Sequence, residues 1–128
     1  MKIEHVAYNV EDPAAMARWQ VEHLGLTIKR SMAEPPYAHF LADDGDTVML
    51  ELYSNPQADV PDYHTIDPIV LHLAFVSTDV EADRDRLMQA GATPVGDILN
   101  TPGGDRLAML RDPWGFAVQL VQRAEAMI

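Results

Sequence analysis

Four polar residues interrupt otherwise apolar, strand-like stretches. They are His5 in Ile3-Glu4-His5-Val6-Ala7-Tyr8, Glu51 in Val48-Met49-Leu50-Glu51-Leu52, His72 in Val70-Leu71-His72-Leu73-Ala74-Phe75, and Gln119 in Phe116-Ala117-Val118-Gln119-Leu120. Two imidazoles, a carboxylate and an amide oxygen are a donor set suited to a divalent ion, with room left for water. The spacings of 46, 21 and 47 residues are too long for a local metal motif. The signal lies in symmetry. Shifting the chain by 67 lays His5 on His72, Asp12 on Asp79 and Ala15 on Ala82; shifting it by 68 lays Glu51 on Gln119 and Asp44-Gly45 on Asp112-Pro113.

A single His on an apolar strand is ordinarily a hydrogen-bonded core residue. Two at equivalent places favour ligands. Glu51 sits between Leu50 and Leu52, where a buried carboxylate needs a partner, unless it lies at an exposed edge. Gln119 is balanced between a ligand and a solvated pocket residue. With both imidazoles committed as ligands, only Glu51 of the four is left to act as a base, because an amide takes up no proton near neutral pH.

The elements that must position these residues repeat as well. Residues 3–10 and 70–77 read as strands. Asp12 and Pro13 suit an N-cap and first helical turn, with a helix to Leu24 closed by Gly25 and buried through Met16, Trp19 and Leu24. In the second copy Thr78 and Glu81 form a T-x-x-E capping pair and Gly91 ends the helix. Further strands are expected at 26–32, 37–42 and 47–54, then 93–99, 105–111 and 115–122, separated by Pro, Gly, Asp and Asn turns. The expected fold is therefore α+β, two tandem βαβββ modules forming curved mixed sheets around a concave cavity. The boundaries are about 1–54 for the first repeat, 55–69 for a linker, 70–122 for the second repeat and 123–128 for a tail, all within one domain of 128 residues.

Strand alternation places His5 with Ile3 and Ala7, Glu51 with Met49 and Tyr53, His72 with Val70 and Ala74, and Gln119 with Ala117 and Val121. The opposite faces, such as Leu71/Leu73/Phe75 and Phe116/Val118/Leu120, are expected under the helices. Hairpin spacing further suggests Ala38, Phe40, Arg106 and Leu110 as cavity-facing residues. There Arg106 would bind an anionic group, although a surface ion pair is its commoner fate. His23 near a helix end, His64 in the linker, and His39, aligned with Leu107, carry no ligand signal.

Composition narrows the partners. Twenty acidic residues against nine Lys and Arg give a formal net charge of -11, which opposes binding to nucleic acid or an anionic membrane. A chain that is 48% hydrophobic and 23% charged can build a core. With no cysteine, disulfides, thiolate ligands and thiol nucleophiles are excluded. No signal-like leader and no transmembrane run is evident, so a cytoplasmic protein is expected.

The paired βαβββ units, the first-strand His of each, the acid in the fourth strand and the Asp112-Pro113-Trp114-Gly115 turn resemble the vicinal oxygen chelate superfamily. That superfamily contains glyoxalase I, methylmalonyl-CoA epimerase, extradiol dioxygenases, fosfomycin-resistance transferases and bleomycin-resistance proteins. The resemblance runs from Ile3 to Gln122. It implies a divalent metal (Ni, Zn, Fe, Mn or Co) held by His5, Glu51, His72 and Gln119, with Glu51 as the catalytic base. It also implies a small bidentate oxygen substrate, lyase or isomerase chemistry through a metal-stabilised enediolate, and a homodimer. Gln119 departs from the Glu usual at its place. A metal-free, bleomycin-resistance-like protein sequestering a cationic ligand is the alternative implied, and an extradiol-type dioxygenase the third.

Overall fold

The computed structural model describes residues 1–127; Ile128, the last residue of the tail expected at 123–128, lies outside them. The chain divides into two compact units, Met1–Pro61 and Asp62–Ile128. No helix among the described residues is long and apolar enough to cross a membrane.

The first unit consists of β1 (His5–Asn9), α1 (Pro13–Leu24), β2 (Thr27–Ser31), β3 (His39–Ala42) and β4 (Met49–Tyr53). Its sheet order is β1-β4-β3-β2, with β1 parallel to β4 and the other pairs antiparallel. α1 begins and ends at the residues the sequence marks. Asp12 Oδ1 accepts the Ala15 N–H at 2.9 Å, and Gly25 closes the helix at φ 74°, in the left-handed region where glycine carries no Cβ penalty. The helix packs on β2, β3 and β4. Met16, Ala17, Trp19, Leu41 and Leu52 are buried there, and each large apolar side chain removed from water contributes about 1.5–3 kcal/mol. Leu24, expected in the stripe, is only half-buried.

The second unit consists of β5 (Leu73–Val76), α2 (Val80–Gln89), β6 (Thr93–Pro94), β7 (Leu99–Asn100), β8 (Arg106–Arg111) and β9 (Ala117–Gln122). Its sheet order is β5-β9-β8-β6, with β7 also pairing β8, and β5 runs parallel to β9. Phe116, Val118, Leu120, Leu110 and Leu87 form the core under α2. The expected strand at 93–99 is broken into β6 and β7, because Gly96 takes φ 72° and interrupts the ladder. The N-cap of α2 is Asp79, not Thr78. Asp79 Oδ1 accepts from Ala82 at 3.0 Å, and Ser77 Oγ, which accepts the Asp79 N–H, binds Asp83.

The segment expected as a linker is anchored at both ends. Asn9 accepts the Asn55 N–H and donates to the Ala58 carbonyl, tying its start to the first unit. Tyr63 is buried against Phe116 with ring centroids 5.1 Å apart, and Arg111 donates to the Tyr63 and Ile66 carbonyls, tying its end to the second.

Candidate functional site

In the first unit the parallel register sets Ala7 opposite Glu51, and antiparallel pairing sets Phe40 opposite the same Glu51. His5, two residues before Ala7, therefore shares their face. The His5 Nε2 lies 3.3 Å from Glu51 Oε2, and the Phe40 ring meets the imidazole edge-on with centroids 5.7 Å apart. The Glu51 side chain is 19% exposed, shielded but reachable. The other ring nitrogen of His5, Nδ1, is engaged by the Glu4 carboxylate. That hydrogen bond raises the His5 pKa above its usual 6.5; desolvation works against it, and the charges of Glu4 and Glu51 reinforce it.

Glu4 is the residue sequence reasoning missed. Alternation assigns it to the face opposite His5, but Glu4 lies at the very start of the β1–β4 pairing, where its carbonyl accepts the Met49 N–H and its exposed side chain reaches the neighbouring ring.

The second unit carries the equivalent pair. His72 immediately precedes β5, and Gln119, half-buried in β9, lies opposite Ala74 as Glu51 lies opposite Ala7. The His72 Nδ1 is 2.6 Å from the Pro68 carbonyl oxygen. A carbonyl only accepts, so Nδ1 carries the proton and the neutral ring keeps its lone pair on Nε2. Both histidines thus have Nδ1 occupied by an oxygen and Nε2 turned to other uses. Ligating histidines are commonly oriented in this way, with the second nitrogen held by a carboxylate or carbonyl. By their chemistry the residues present supply metal donors, two in each unit: His5 Nε2 and the Glu51 carboxylate in the first, His72 Nε2 and the Gln119 amide oxygen in the second. Among the described residues no group of three or more His, Asp or Glu side chains is placed to hold a metal ion.

Of the four residues expected to line the cavity, Phe40 meets His5, whereas Ala38 is fully buried. The two from the second module are corrected by the register. Met109 lies opposite Gln119, so Leu107 and Met109 share its face. Leu110 belongs to the core, and Arg106 is in an ion pair with Glu81 of α2 and donates to Asn100 Oδ1 at 3.2 Å. The cause is a further one-residue slip between the repeats: Phe40 corresponds to Met109, and a slip of one residue exchanges the faces of a strand. By the same shift His39 corresponds to Ala108, not Leu107.

Comparison with known proteins agrees with the fold. The family model described as the Glyoxalase/Bleomycin resistance protein/Dioxygenase superfamily matches residues 2–120. No curated protein matches the sequence. Among solved structures, the chain is similar to TnmS3, an antibiotic binding protein from Streptomyces sp. CB03234, at 26% identity and TM-score 0.72, covering 97% of each chain. It is also similar to a mutant of glyoxalase I from Zea mays, at 25% identity and TM-score 0.74, covering 97% of this chain and 46% of that one. A superfamily member from Sphaerobacter thermophilus, at 16% identity and TM-score 0.70 over 96% of this chain and 98% of that one, shares the fold.

Proposed function

The chain belongs to the glyoxalase/bleomycin resistance protein/dioxygenase superfamily, and on that premise we propose a metal-dependent, glyoxalase-like lyase or isomerase acting on a small bidentate oxygen substrate. His5, Glu51, His72 and Gln119 are the proposed donors for the metal. The observation that carries this reading is the shared tethering of the two histidines through Nδ1, one by Glu4 and one by the Pro68 carbonyl, with the His5 Nε2 facing Glu51 Oε2 at 3.3 Å, a contact that a bound ion would replace. A divalent ion in such a site polarises a carbonyl oxygen as a Lewis acid. Glu51 is the group that accepts the proton on the carbon beside that carbonyl. Gln119 presents an amide oxygen and moves no proton. Phe40 packs against His5 and excludes water from one side of its ring.

The proposed assembly is a homodimer. In its support, β1 and β5 are edge strands, and large apolar side chains on or just before them are open to solvent, with Ile69 86% and Val76 84% exposed. Uncovered edges and patches of this kind favour association. Sedimentation analysis tests this directly, and a monomer at all concentrations would contradict it.

Elemental analysis of tag-free protein, before and after reconstitution with Ni, Zn, Fe, Mn or Co, tests the metal reading. One ion per chain, lost in His5→Ala and His72→Ala, is expected; no stoichiometric uptake of any of the five overturns it.

A second reading is favoured by the similarity to TnmS3 along the whole of both chains and by the amide at Gln119. In this reading the protein binds a cationic small molecule without turnover and without metal. Titration of metal-free protein with a basic glycopeptide separates the two: tight, salt-sensitive binding unaffected by chelator supports sequestration.

A further inference from the structure

The first unit has a second concave feature, on the other side of its sheet. Phe40 shares the face of Glu51, so His39, the next residue along β3, points to the α1 side. There a cleft of about 480 Å³ is lined by residues that include Glu11, Asp12, Met32, Tyr37 and His39. Its volume falls within the range typical of small-molecule sites, about 300–1,000 Å³.

The chemistry of its walls is one-sided. The His39 Nδ1 lies 2.7 Å from the Tyr37 carbonyl, so that nitrogen donates and Nε2 remains an acceptor in the neutral ring. Asp12 uses Oδ1 for the Ala15 N–H, leaving Oδ2 toward other partners, and Glu11 adds a second, exposed carboxylate. No Lys or Arg among the described residues lines the cleft. A helix N-terminus ordinarily attracts anions through its N–H groups. Here Pro13 has none, Ala15 bonds Asp12 Oδ1 and Met16 bonds the Asp12 carbonyl, so the donors an anion would need are largely consumed. Tyr37, held at φ 55° and 44% exposed, and Met32 supply aromatic and thioether surface. Aromatic faces beside carboxylates attract organic cations.

We propose that this cleft is a ligand site for an organic cation, an ammonium group carried on an apolar or aromatic body. The site is separate from the His5/Glu51 face and does not depend on the metal reading. The test uses the full-length, isotope-labelled chain and benzyltrimethylammonium as probe, with benzyl alcohol as the neutral control, followed by amide chemical shifts. Saturable shifts are expected at residues 11–16 and 31–39 with the cation and not with the alcohol. Combining Glu11→Gln with Asp12→Asn, which keeps the N-cap because Asn caps as well as Asp, should weaken binding roughly fivefold. Tyr37→Asn, which tolerates positive φ while removing the ring, should weaken it about two- to fivefold. Absence of saturable shifts in these segments, an equal response to the alcohol, shifts confined to the His5/Glu51 face, or undiminished affinity in the folded double variant would each overturn the proposal.

Discussion

The turn Asp112-Pro113-Trp114-Gly115 contains a carboxylate that the fold holds at a cost. Asp112 is 3% exposed, and its Oδ1 accepts the N–H groups of Trp114 and Phe116, both at 2.9 Å, whereas Oδ2 has no hydrogen-bond partner among the described residues. Burial pushes its pKa up from 3.8 to about 6, against the lowering influence of the two N–H donors and of His64. For a group whose folded pKa is raised, the contribution to stability is fully present below the unfolded pKa and is lost as pH rises through the folded one. The shift from 3.8 to about 6 therefore corresponds to about 3 kcal/mol in full. About 1 kcal/mol of it falls between about pH 5 and about pH 7.5. Asp112→Asn keeps the Oδ1 acceptor and removes the titration. Any cost of its buried NH2 group is independent of pH, so the difference between the two proteins isolates the carboxylate. Urea unfolding of both across this range should show the variant gaining on the parent by about 1 kcal/mol as pH rises. Parallel pH profiles, or a variant that loses ground with rising pH, would refute the assignment of a raised pKa to this buried carboxylate.

Other expectations follow from single contacts. Glu4→Gln replaces the carboxylate on His5 Nδ1, so the His5 pKa should fall back toward 6.5 in an NMR titration and metal affinity should drop about 10-fold. Glu51→Gln should abolish proton exchange at the carbon beside a substrate carbonyl while leaving the thermal midpoint of the metal-free protein nearly unchanged; retained exchange would exclude Glu51 as the base. Gly115→Ala should destabilise the second unit by roughly 2 kcal/mol or more, read by urea unfolding. At φ 84° a Cβ there would stand 2.5 Å from the His64 ring and 2.7 Å from the His64 backbone nitrogen, and backbone cannot yield as a flexible side chain can.

What was legible in the sequence was mostly local. Asp12, Pro13 and Gly25 mark the ends of α1 because capping depends on a few neighbouring residues. The matching of His5 with His72 and Glu51 with Gln119 was legible through the repeat, and the identical registers of Ala7 with Glu51 and Ala74 with Gln119 follow from it. Three features were not. Ser77, Thr78 and Asp79 all have capping side chains, and the choice of Asp79 is fixed by Ser77 being drawn to Asp83. The face of Arg106 depended on a one-residue slip that weak similarity across the hairpins does not reveal. The oxygens that hold the two histidines, Glu4 and the Pro68 carbonyl, lie one and four residues away, and neither spacing is a recognisable motif.

The most direct test of the proposed metal site is the nitrogen NMR of the two histidine rings during metal titration of tag-free protein. The expected result is a shift of the Nε2 resonances of both His5 and His72, complete at one zinc ion per chain, with both Nδ1 resonances remaining protonated. Zinc uptake that leaves either Nε2 unperturbed, or no uptake at all, would contradict it.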